Sequence, residues 1–544
     1  MDFDATENLY IEGDNLDVLK LLRETYLNRV KMIYIDPPYN TGNDFVYDDD
    51  FSEDVDSFLE RDRQYDEQGN RMTRNLDSNG RFHTDWLNMM YPRLRLATNL
   101  LRDDGVIFIS IDDHEIDNLK KLCNEIFGEE NFVAQIIWQK KYAVSNDDPG
   151  IAPMHEYVLA YQKSSDFQRN LLPRTEKQLQ RYNNLDNDPR GDWSSDNYIS
   201  NKSRWERPTL WYPIIHPKTG EEVWPDENAV WRYAKEKHEQ IEAENRLYWG
   251  PELNYARPRI KRFLTEIQDG IVPSTWWPFT EVGHNDEAVK ETALLLGKKV
   301  FSTPKPIRLL KQMLILVTKP QENDIVLDFF SGSSATAHAV MQLNAEDGGK
   351  RKFIMVQLPE ICDESSEAYK AGYINICEIG KERIRRAGVK IREGAGLTAQ
   401  NLDIGFRVLK LDSSNMKDVY YTPEEFLTMA QKQQTLDGFT DNIKVDRSGE
   451  DLLFQVMLEL GIPLSAKITC PTAGGRNEGS LWSVNDNYLI ACFDRVDTDL
   501  IVEIAKRKPY YAVFRDSSFI NDSAMVNFEQ VFNTYSPGTI RRVL

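Results

Sequence analysis

The 544-residue chain has few cysteines and no long apolar run. Its five cysteines are scattered and form no CxxC pair, which argues against a disulfide framework or a structural zinc site and favours a reducing compartment. No uninterrupted apolar segment approaches the roughly 20 residues that are needed to span a bilayer. Residues 1–30 also lack the apolar core of a signal peptide. These absences predict a soluble cytoplasmic protein with no membrane association.

Net positive charge is also lacking, since 66 Lys and Arg residues stand against 87 Asp and Glu residues and give a formal charge of −21. Neutralisation of phosphates dominates nucleic-acid binding, so this total lowers the expectation of a DNA partner. Net charge averages over the whole surface, however, and a local groove decides binding. Between about residues 138 and 299 the charge is close to neutral, with basic clusters at 202–207 and 257–262. The composition therefore does not exclude DNA.

From Leu9 to about Trp138, short apolar runs alternate with helical segments, a pattern that predicts an α/β domain with a parallel sheet. The pattern is lost in an irregular region that holds eight tryptophans, and it returns near residue 300. The predicted strands are 8–13, 30–35, 105–111, 324–328 and 352–357, and the predicted helices are 15–26, 85–101, 117–127, 306–317, 335–343, 371–387 and 452–460. A Gly-rich break is expected at 394–396, and helix 452–460 belongs either to the core or to an interface.

These patterns predict one α/β domain that is split by an insertion and followed by a tail domain. The two halves of the split domain are residues 1–138 and 300–395, the insertion is 139–299, and the C-terminal domain is 396–544. Residues 53–82 are polar and charged, and we expect them to form a mobile loop or lid. This loop either closes over DNA or is simply solvated, and its arginines are Arg61, Arg63, Arg71, Arg74 and Arg81.

The sequence Asp36-Pro37-Pro38-Tyr39 directly follows the predicted strand 30–35. The carboxyl ends of strands are where open α/β sheets bind ligands. The two prolines end the strand and stiffen the backbone. A carboxylate and a rigid carbonyl can each accept a hydrogen bond from an exocyclic amine, which directs the nitrogen lone pair at a methyl donor, while the aromatic ring stacks on a base that has left the duplex. The alternative is a plain Pro-Pro turn with an N-capping aspartate.

A second candidate turn is Asp328-Phe329-Phe330-Ser331-Gly332-Ser333-Ser334, which follows the predicted strand 324–328 and opens a helix. Small residues there let a ligand approach the backbone at a helix N-terminus. By itself the turn is equally typical of an ordinary strand–helix connection. Its significance comes from its combination with the Asp36 turn on one predicted sheet.

The two turns together resemble the β-class amino-methyltransferases of DNA, in which a catalytic DPPY precedes an FxGxG cofactor motif and a target recognition domain lies between them. Phe330 and Gly332 match that cofactor motif, and Ser334 stands where its last glycine is usual, so we expect a slightly tighter turn. More specifically, segments 8–16, 34–43 and 351–360 resemble the Mod subunits of type III restriction–modification systems. This similarity spans residues 8 to about 400 and continues more faintly through 405–414. Mod chains usually carry additional sequence before this start, so we expect the beginning to be shortened.

The resemblance implies a Rossmann-like S-adenosyl-L-methionine-dependent methyltransferase core, circularly permuted, with an inserted target recognition domain and a C-terminal α/β domain. It implies that Asp36 and the Pro37 carbonyl hold the N6 amine of adenine, on the rigid turn that Pro38 completes, and that Tyr39 stacks on the flipped base. It also implies a group of residues around the methionine end of the cofactor: Thr303, Lys305, Asp328, Phe330, Gly332 and Ser333.

Three of the implied contacts have a plain structural alternative as a cap or a surface residue. Lys305 is expected to pair with the cofactor carboxylate, and Asp14 to approach the cofactor adenine. Gln357 ends the predicted strand 352–357, where many methyltransferases place an acid for the ribose hydroxyls, and Glu360 follows three residues later. Which of these two residues serves the ribose is left open.

The function implied is sequence-specific adenine methylation of double-stranded DNA by the modification and recognition subunit of a type III system. Alternatives are a stand-alone adenine methyltransferase, an N4-cytosine methyltransferase, and a recognition module that has lost catalysis. Asp36 favours adenine, because the cytosine enzymes more often have serine first, and the intact DPPY argues against lost catalysis. The resemblance implies a second copy of the chain and a Res helicase–nuclease subunit as partners. The sequence has no Walker motif, so any cleavage of DNA must come from another chain. The insertion is the candidate for base reading, although most of its tryptophans are expected to pack a core. No metal is needed.

Overall fold

The computed structural model describes residues 3–42, 82–144, 150–395, 402–417, 442–470 and 481–544, together with the backbone of 45–47 and 72–74. The chain divides into two compact units, of which the first comprises Met1–Asn170 and Ser274–Leu544 and the second comprises Leu171–Pro273. The arginine-bearing loop predicted from the sequence lies outside the described residues, except that Met72–Arg74 pairs antiparallel with Phe45–Tyr47.

A nine-stranded mixed sheet forms the centre of the first unit. Its strands are, in chain order, β1 (Leu9–Glu12), β2 (Val30–Ile35), β3 (Leu101–Ile111), β4 (Phe132–Gln139), β5 (His155–Gln162), β6 (Trp276–Trp277), β7 (Ile325–Asp328), β8 (Lys352–Gln357) and β9 (Arg407–Lys410). Across the sheet they follow the order β6-β4-β5-β3-β2-β7-β8-β1-β9. The six strands from β3 to β9 in this order run parallel, whereas β5 is antiparallel to both β3 and β4. The predicted α/β class is confirmed.

The burial of strand β2 shows that the sheet is covered on both faces. The strand reads Val-Lys-Met-Ile-Tyr-Ile and is buried at every position, as is typical of a central parallel strand. Ile33 and Ile35 belong to the main hydrophobic core together with residues of the first three helices. Because side chains alternate along a strand, Met32 and Tyr34 point to the opposite face.

Two groups of helices accompany the sheet. The helices of the first unit are α1 (Asn15–Tyr26), α2 (Phe82–Leu100), α3 (Ile116–Phe127), α4 (Asn285–Leu296), α5 (Ile307–Val317), α6 (Ala335–Asp347), α7 (Ile376–Ala395), α8 (Gly449–Glu459), α9 (Thr498–Arg507) and α10 (Asp522–Tyr535), with short helices at Phe279–Val282 and Glu367–Lys370. In one group α1 packs on α2 and α2 packs on α3, and in the other α6 packs on α5 and α7, with α4 also against α7.

The C-terminal part of the chain is joined to this core. Helix α8 buries Leu452, Leu453, Val456 and Met457 in the main hydrophobic core, so the apolar helix predicted as core or interface is core. A second sheet follows, with a separate cluster formed by residues of α9 and α10. Its strands lie side by side in chain order: β10 (Ile468–Thr469), β11 (Leu481–Val484), β12 (Leu489–Cys492), β13 (Tyr511–Phe514) and β14 (Ile540–Val543).

The inserted unit is narrower than the interval 139–299, because two parts of that interval join the central sheet. Strand β5 pairs with β3 and β4, and β6 pairs with β4. The compact second unit is therefore confined to Leu171–Pro273. Helix α7 also differs from its predicted range, because it begins at Ile376 and continues through Gly394 to Ala395 instead of breaking there.

The second unit has little regular structure and an aromatic core. Its longest pairing joins Trp193–Asn197 to Arg259–Phe263, which also pairs with Leu247–Tyr248. Short strands lie at Ile199–Ser200, Ile214–Ile215, Glu222–Val223 and Val230–Trp231, and helices at Glu176–Leu179 and Lys235–Ala243. Trp193, Trp231 and Trp249 are buried, which agrees with the packing role expected for most tryptophans, whereas Trp205 is 79% exposed.

None of the helices in the described part of the chain has the length and apolar character of a membrane span.

Candidate active site

The two turns predicted from the sequence leave adjacent strands at one edge of the central sheet. Asp36 follows Ile35, the last residue of β2, and Asp328 ends β7. The two strands are parallel neighbours, with Leu327 in register with Ile33. The carboxyl edge of such a sheet is where α/β proteins bind ligands. The fold therefore brings the Asp36 turn and the Phe330 turn into one site.

The carboxylate of Asp36 is held by a lysine from a distant part of the chain. Lys305 Nζ lies 2.7 Å from each Asp36 carboxylate oxygen and donates to the Tyr39 hydroxyl at 3.0 Å. Burial raises the pKa of Asp36, and the Lys305 ammonium acts in the opposite direction. The pKa of Lys305 lies above its ordinary value because the neighbouring carboxylates outweigh the effect of its burial. Lys305 thus pairs with the Asp36 carboxylate, and its pairing with a cofactor carboxylate stays a prediction.

A second carboxylate, Glu156, belongs to the same site and was missed by the sequence analysis. It lies on β5 and is 7% exposed. The Tyr39 hydroxyl lies 2.8 Å from Asp36 Oδ1 and 3.2 Å from Glu156 Oε2, so it can donate to either carboxylate. The other Glu156 oxygen accepts from Lys140 Nζ at 2.9 Å. Lys305 and the two acids therefore contact the tyrosine hydroxyl, whereas Lys140 pairs with the Glu156 oxygen on the side away from it.

The backbone of the Asp36 turn is fixed by side chains from α2 and from the loop before α3. Trp86 Nε1 donates to the Pro38 carbonyl at 2.7 Å, and Trp86 is completely buried. Asn40 adopts a left-handed conformation with φ of 60° and donates to the Phe82 carbonyl at 3.2 Å. Its amide also donates to Glu115, whose carboxylate is fully buried. These contacts add to the restriction that the two prolines place on the backbone of the turn.

Asp328 shapes the second turn instead of projecting into open space. It is 2% exposed. Its Oδ1 accepts from the Phe330 backbone N–H at 3.1 Å, and its Oδ2 accepts from the Thr336 hydroxyl at 2.6 Å. Burial raises the pKa of Asp328 to about 7, against an ordinary value of 3.8. The side chain is therefore a buried acceptor that ties the turn to the start of α6.

The backbone between Phe330 and α6 takes two left-handed residues. Gly332 has φ of 48° and Ser334 has φ of 59°. The Gly332 N–H donates to Gln357 Oε1 at 2.6 Å, and the Ser334 N–H donates to the Ser331 carbonyl at 2.7 Å. A left-handed conformation costs a non-glycine residue roughly 1–2 kcal/mol. Ser334 adopts this conformation at the position where the resembled motif usually has glycine.

Helix α7 supports this turn from outside. Arg383 is completely buried, and its Nη1 donates to Ser333 Oγ at 2.7 Å. A Cβ atom on Gly380 would lie 2.6 Å from Ser334 Oγ and 2.9 Å from the Tyr10 hydroxyl. Glycine is therefore required where α7 crosses the turn. Neither Gly380 nor Arg383 was predicted from the sequence.

The remaining predicted cofactor residues are distributed differently. Asp14 caps α1, since its Oδ1 accepts from the backbone N–H groups of Leu16 at 2.8 Å and Asp17 at 3.2 Å. Gln357 is engaged through its side-chain carbonyl by Gly332. Thr303 is exposed, and Glu360 is half-buried with a pKa raised by burial. Asp14 and Gln357 therefore make structural contacts, and the cofactor contacts predicted for Asp14, Thr303, Gln357 and Glu360 stay predictions.

A family model described as DNA methylase matches residues 30–388, which include both turns, α5 and most of α7. The chain belongs to the DNA methylase family. It is 39% identical to the StyLTI Mod subunit, a type III restriction–modification enzyme of Salmonella typhimurium, over 74% of this chain and 60% of that protein. It is 32% identical to the EcoP15I Mod subunit, a type III restriction–modification enzyme of Escherichia coli, over 91% of this chain and 79% of the relative. The family predicted from the sequence is confirmed.

Other DNA methylases resemble the chain as well. The type II methyltransferase M.KpnI of Klebsiella pneumoniae is 31% identical over 70% of this chain and 88% of its own length. Among solved structures, the complex of M1.HpyAVI with SAM aligns over 69% of this chain and 98% of its own length at 13% identity, with a TM-score of 0.29. The matched segment spans only 60% of the StyLTI Mod subunit.

Proposed function

We propose that this DNA methylase transfers a methyl group from S-adenosyl-L-methionine to N6 of an adenine that is flipped out of double-stranded DNA. The observation that carries the proposal is the adjacency of the Asp36 turn on β2 and the Phe330 turn on β7. An amine held at the first turn then lies beside a methyl donor held at the second. Asp36 as the first residue of the catalytic motif favours adenine over N4 of cytosine.

The catalytic turn acts on the amine through two acceptors. The Asp36 carboxylate and the Pro37 carbonyl each accept one N6–H, which directs the nitrogen lone pair at the methyl group. Rigidity matters here, because a reacting geometry that is held in advance lowers the barrier. Trp86 and Asn40 supply that rigidity by holding the backbone on either side of Tyr39. The Tyr39 ring stacks on the flipped base, whose removal from the duplex is required for access.

The residues at the Phe330 turn fit S-adenosyl-L-methionine. Gly332 in a left-handed conformation gives a backbone without a side chain beside a helix N-terminus, which suits a bound ligand. By the resemblance to β-class methyltransferases, Phe330, Ser333 and Thr303 would border the bound cofactor. Glu360 is the better candidate for the ribose hydroxyls, because Gln357 already accepts from Gly332. The cofactor supplies an electrophilic methyl group on a sulfonium, so no metal is required.

The second unit, Leu171–Pro273, is proposed to read the DNA sequence. It holds 16 basic and 17 acidic residues, so it is close to neutral in a chain of net charge −21. Trp205 is 79% exposed, and Arg204 stacks on it with its guanidinium carbon 4.7 Å from the ring centroid. Ser203 and Glu206 fix this turn by reciprocal hydrogen bonds. An exposed aromatic ring on a basic turn is suited to wedge between base pairs or to stack on an unpaired base.

We further propose that the chain is the modification and recognition subunit of a type III system, in which two copies of the chain form a dimer that binds a Res subunit. The similarity to two type III Mod subunits supports this assignment. A stand-alone methyltransferase is the second candidate, and the similarity to the type II enzyme M.KpnI favours it. Sedimentation of the purified chain, alone and after co-expression with a neighbouring helicase–nuclease gene product, separates the two candidates. A monomer that forms no complex would contradict the type III assignment.

Long-read sequencing of DNA from cells that express the protein tests the reaction. We expect methylated adenine in one short asymmetric motif and no methylation with the Asp36→Ala variant. Modification of cytosine alone, or no modification at all, would contradict the proposal. Tyr39→Ala tests the stacking role, since it should lower turnover much more than cofactor affinity. Equal loss of both would show that Tyr39 only shapes the cofactor site.

A further inference from the structure

The proposed reaction requires that Asp36 accept a hydrogen bond from the target amine, yet its carboxylate is already engaged. Lys305 Nζ lies 2.7 Å from both oxygens, and the Tyr39 hydroxyl lies 2.8 Å from one of them. The amine and the ammonium would both make charge-assisted hydrogen bonds to the carboxylate, but displacement would leave the buried ammonium charge without a partner. The amine therefore replaces the ammonium only where the ammonium has another acceptor within reach.

Glu156 is such an acceptor. Its Oε2 lies 3.8 Å from Lys305 Nζ and 3.2 Å from the Tyr39 hydroxyl. The register of β5 places it beside Trp138 of β4, whose ring centroid lies 5.9 Å from the Lys305 ammonium. Its other oxygen is paired with Lys140 at 2.9 Å. The oxygen that faces the catalytic turn therefore already contacts one donor and lies within about 1 Å of hydrogen-bonding distance of the other.

The charges favour a transfer of the two donors towards Glu156. Burial acts to raise the pKa of Glu156, but Lys305 and Lys140 outweigh it, and the net pKa lies below the ordinary value. The pKa of Asp36 is raised by burial. Of the two carboxylates, Glu156 is thus the one that more firmly keeps its negative charge. A buried ammonium left without a partner would be strongly destabilised, so the exchange requires an acceptor that is already charged.

We propose that Glu156 is a positioning residue that accepts the Lys305 ammonium and the Tyr39 hydroxyl while the target amine takes their place on Asp36. This proposal rests on the proposed function and adds a residue to it. The exchange keeps the buried ammonium paired, since Lys305 passes from one carboxylate to the other. The exchange also fixes the orientation of the Tyr39 ring, because the Tyr39 hydroxyl is hydrogen-bonded to Glu156 while the target amine occupies Asp36.

The test compares Glu156→Gln with Lys140→Gln in the full-length protein. The probes are S-adenosyl-L-methionine and a duplex whose target adenine is replaced by the fluorescent analogue 2-aminopurine or left unmodified. For Glu156→Gln we expect duplex and cofactor affinities within about twofold of wild type, a weaker fluorescence increase on binding, and a methyl-transfer rate at least tenfold lower. For Lys140→Gln we expect a rate close to that of wild type, because its removal leaves Glu156 charged and leaves the hydrogen bonds of Asp36 and Tyr39 in place.

The double variant Glu156→Gln, Lys140→Gln removes both charges of one buried pair and guards against a folding defect of the single variant. We expect it to be as slow as Glu156→Gln. Wild-type transfer by the double variant would overturn the proposal, and so would an equal loss in Lys140→Gln and Glu156→Gln, since that result assigns Glu156 to a structural pair with Lys140. Absence of adenine methylation by wild type would instead refute the proposed function.

Discussion

Replacement of Asp328 by asparagine should make the free energy of unfolding less dependent on pH. The size of this effect follows from the burial of the Asp328 carboxyl. Burial raises the pKa of Asp328 from 3.8 to about 7 in the folded chain. Between these two values the unfolded chain has lost the proton and the folded chain still holds it. Each pH unit in that window therefore lowers the free energy of unfolding by about 1.4 kcal/mol, which amounts to about 4 kcal/mol over the window. The loss is complete above about pH 7 and absent below about pH 4.

An asparagine side chain cannot ionise, so the Asp328→Asn variant escapes this loss. The free energy of unfolding of Asp328→Asn minus that of wild type should increase by about 3 kcal/mol between about pH 5 and pH 8, because two pH units of the window lie in that range. Any change in the hydrogen bonds to Phe330 and Thr336 adds a constant that does not depend on pH. Other titrating groups cancel in the difference.

Urea denaturation of both proteins, followed by far-UV circular dichroism at several pH values, measures this difference. Glu382→Gln serves as a control, since this carboxylate is paired with Arg386 on the surface of α7. An equal difference between Asp328→Asn and wild type at the two ends of the range would contradict the raised pKa of Asp328. The opposite sign would mean that Asp328 is ionised in the folded protein.

Three further predictions concern stability and binding. Trp86→Phe removes the donor to the Pro38 carbonyl, so the free energy of unfolding should fall by about 1–3 kcal/mol and methyl transfer should become slower. Cofactor affinity should be unchanged, and a loss of affinity in calorimetry would contradict this prediction. Gly380→Ala should lower the free energy of unfolding of the protein by about 1–3 kcal/mol and weaken cofactor binding, because its Cβ meets the Phe330 turn. Gly394→Ala in the same helix is the control, since its Cβ meets no atom within 4 Å, and thermal melts should show a neutral or stabilising effect. Trp205→Ala should weaken duplex binding about tenfold and leave stability within about 0.5 kcal/mol, and unchanged affinity in anisotropy titrations would remove Trp205 from the DNA-contacting surface.

The two turns could be predicted from the sequence because each is a local pattern. A buried strand followed by Asp36-Pro37-Pro38 places the carboxylate at a strand end wherever the strand lies in the sheet. Strand β2 and helix α1 were predicted with the bounds that the structure gives. For β2 and α1, the hydrophobic periodicity and the residues that mark the start and end of the element all lie within a few consecutive positions.

Glu156 could not be predicted in the same way. It belongs to β5, in an interval that shows little regular pattern, and only the antiparallel pairing of β5 with β3 and β4 places it beside Tyr39. A weak signal was present in the apolar run from Tyr157 to Tyr161. The contact of Lys305 with Asp36 was missed for the same reason, because a side-chain contact across a site depends on the register of distant elements. Pairing partners are a tertiary property.

The position of β1 between β8 and β9 has a consequence for the synthesis of the protein. Asn8 and Phe353, which form a hydrogen bond at the start of this pairing, are 345 residues apart in the chain. At a translation rate of roughly 5–20 residues per second, the first strand waits roughly 20–70 s before either of its neighbours leaves the ribosome. During that time the apolar side chains of β1 are exposed and its backbone groups are unpaired, so chaperones or incorrect strands can bind to it. Every new molecule thus has an interval of inactivity that no change within the active site can shorten.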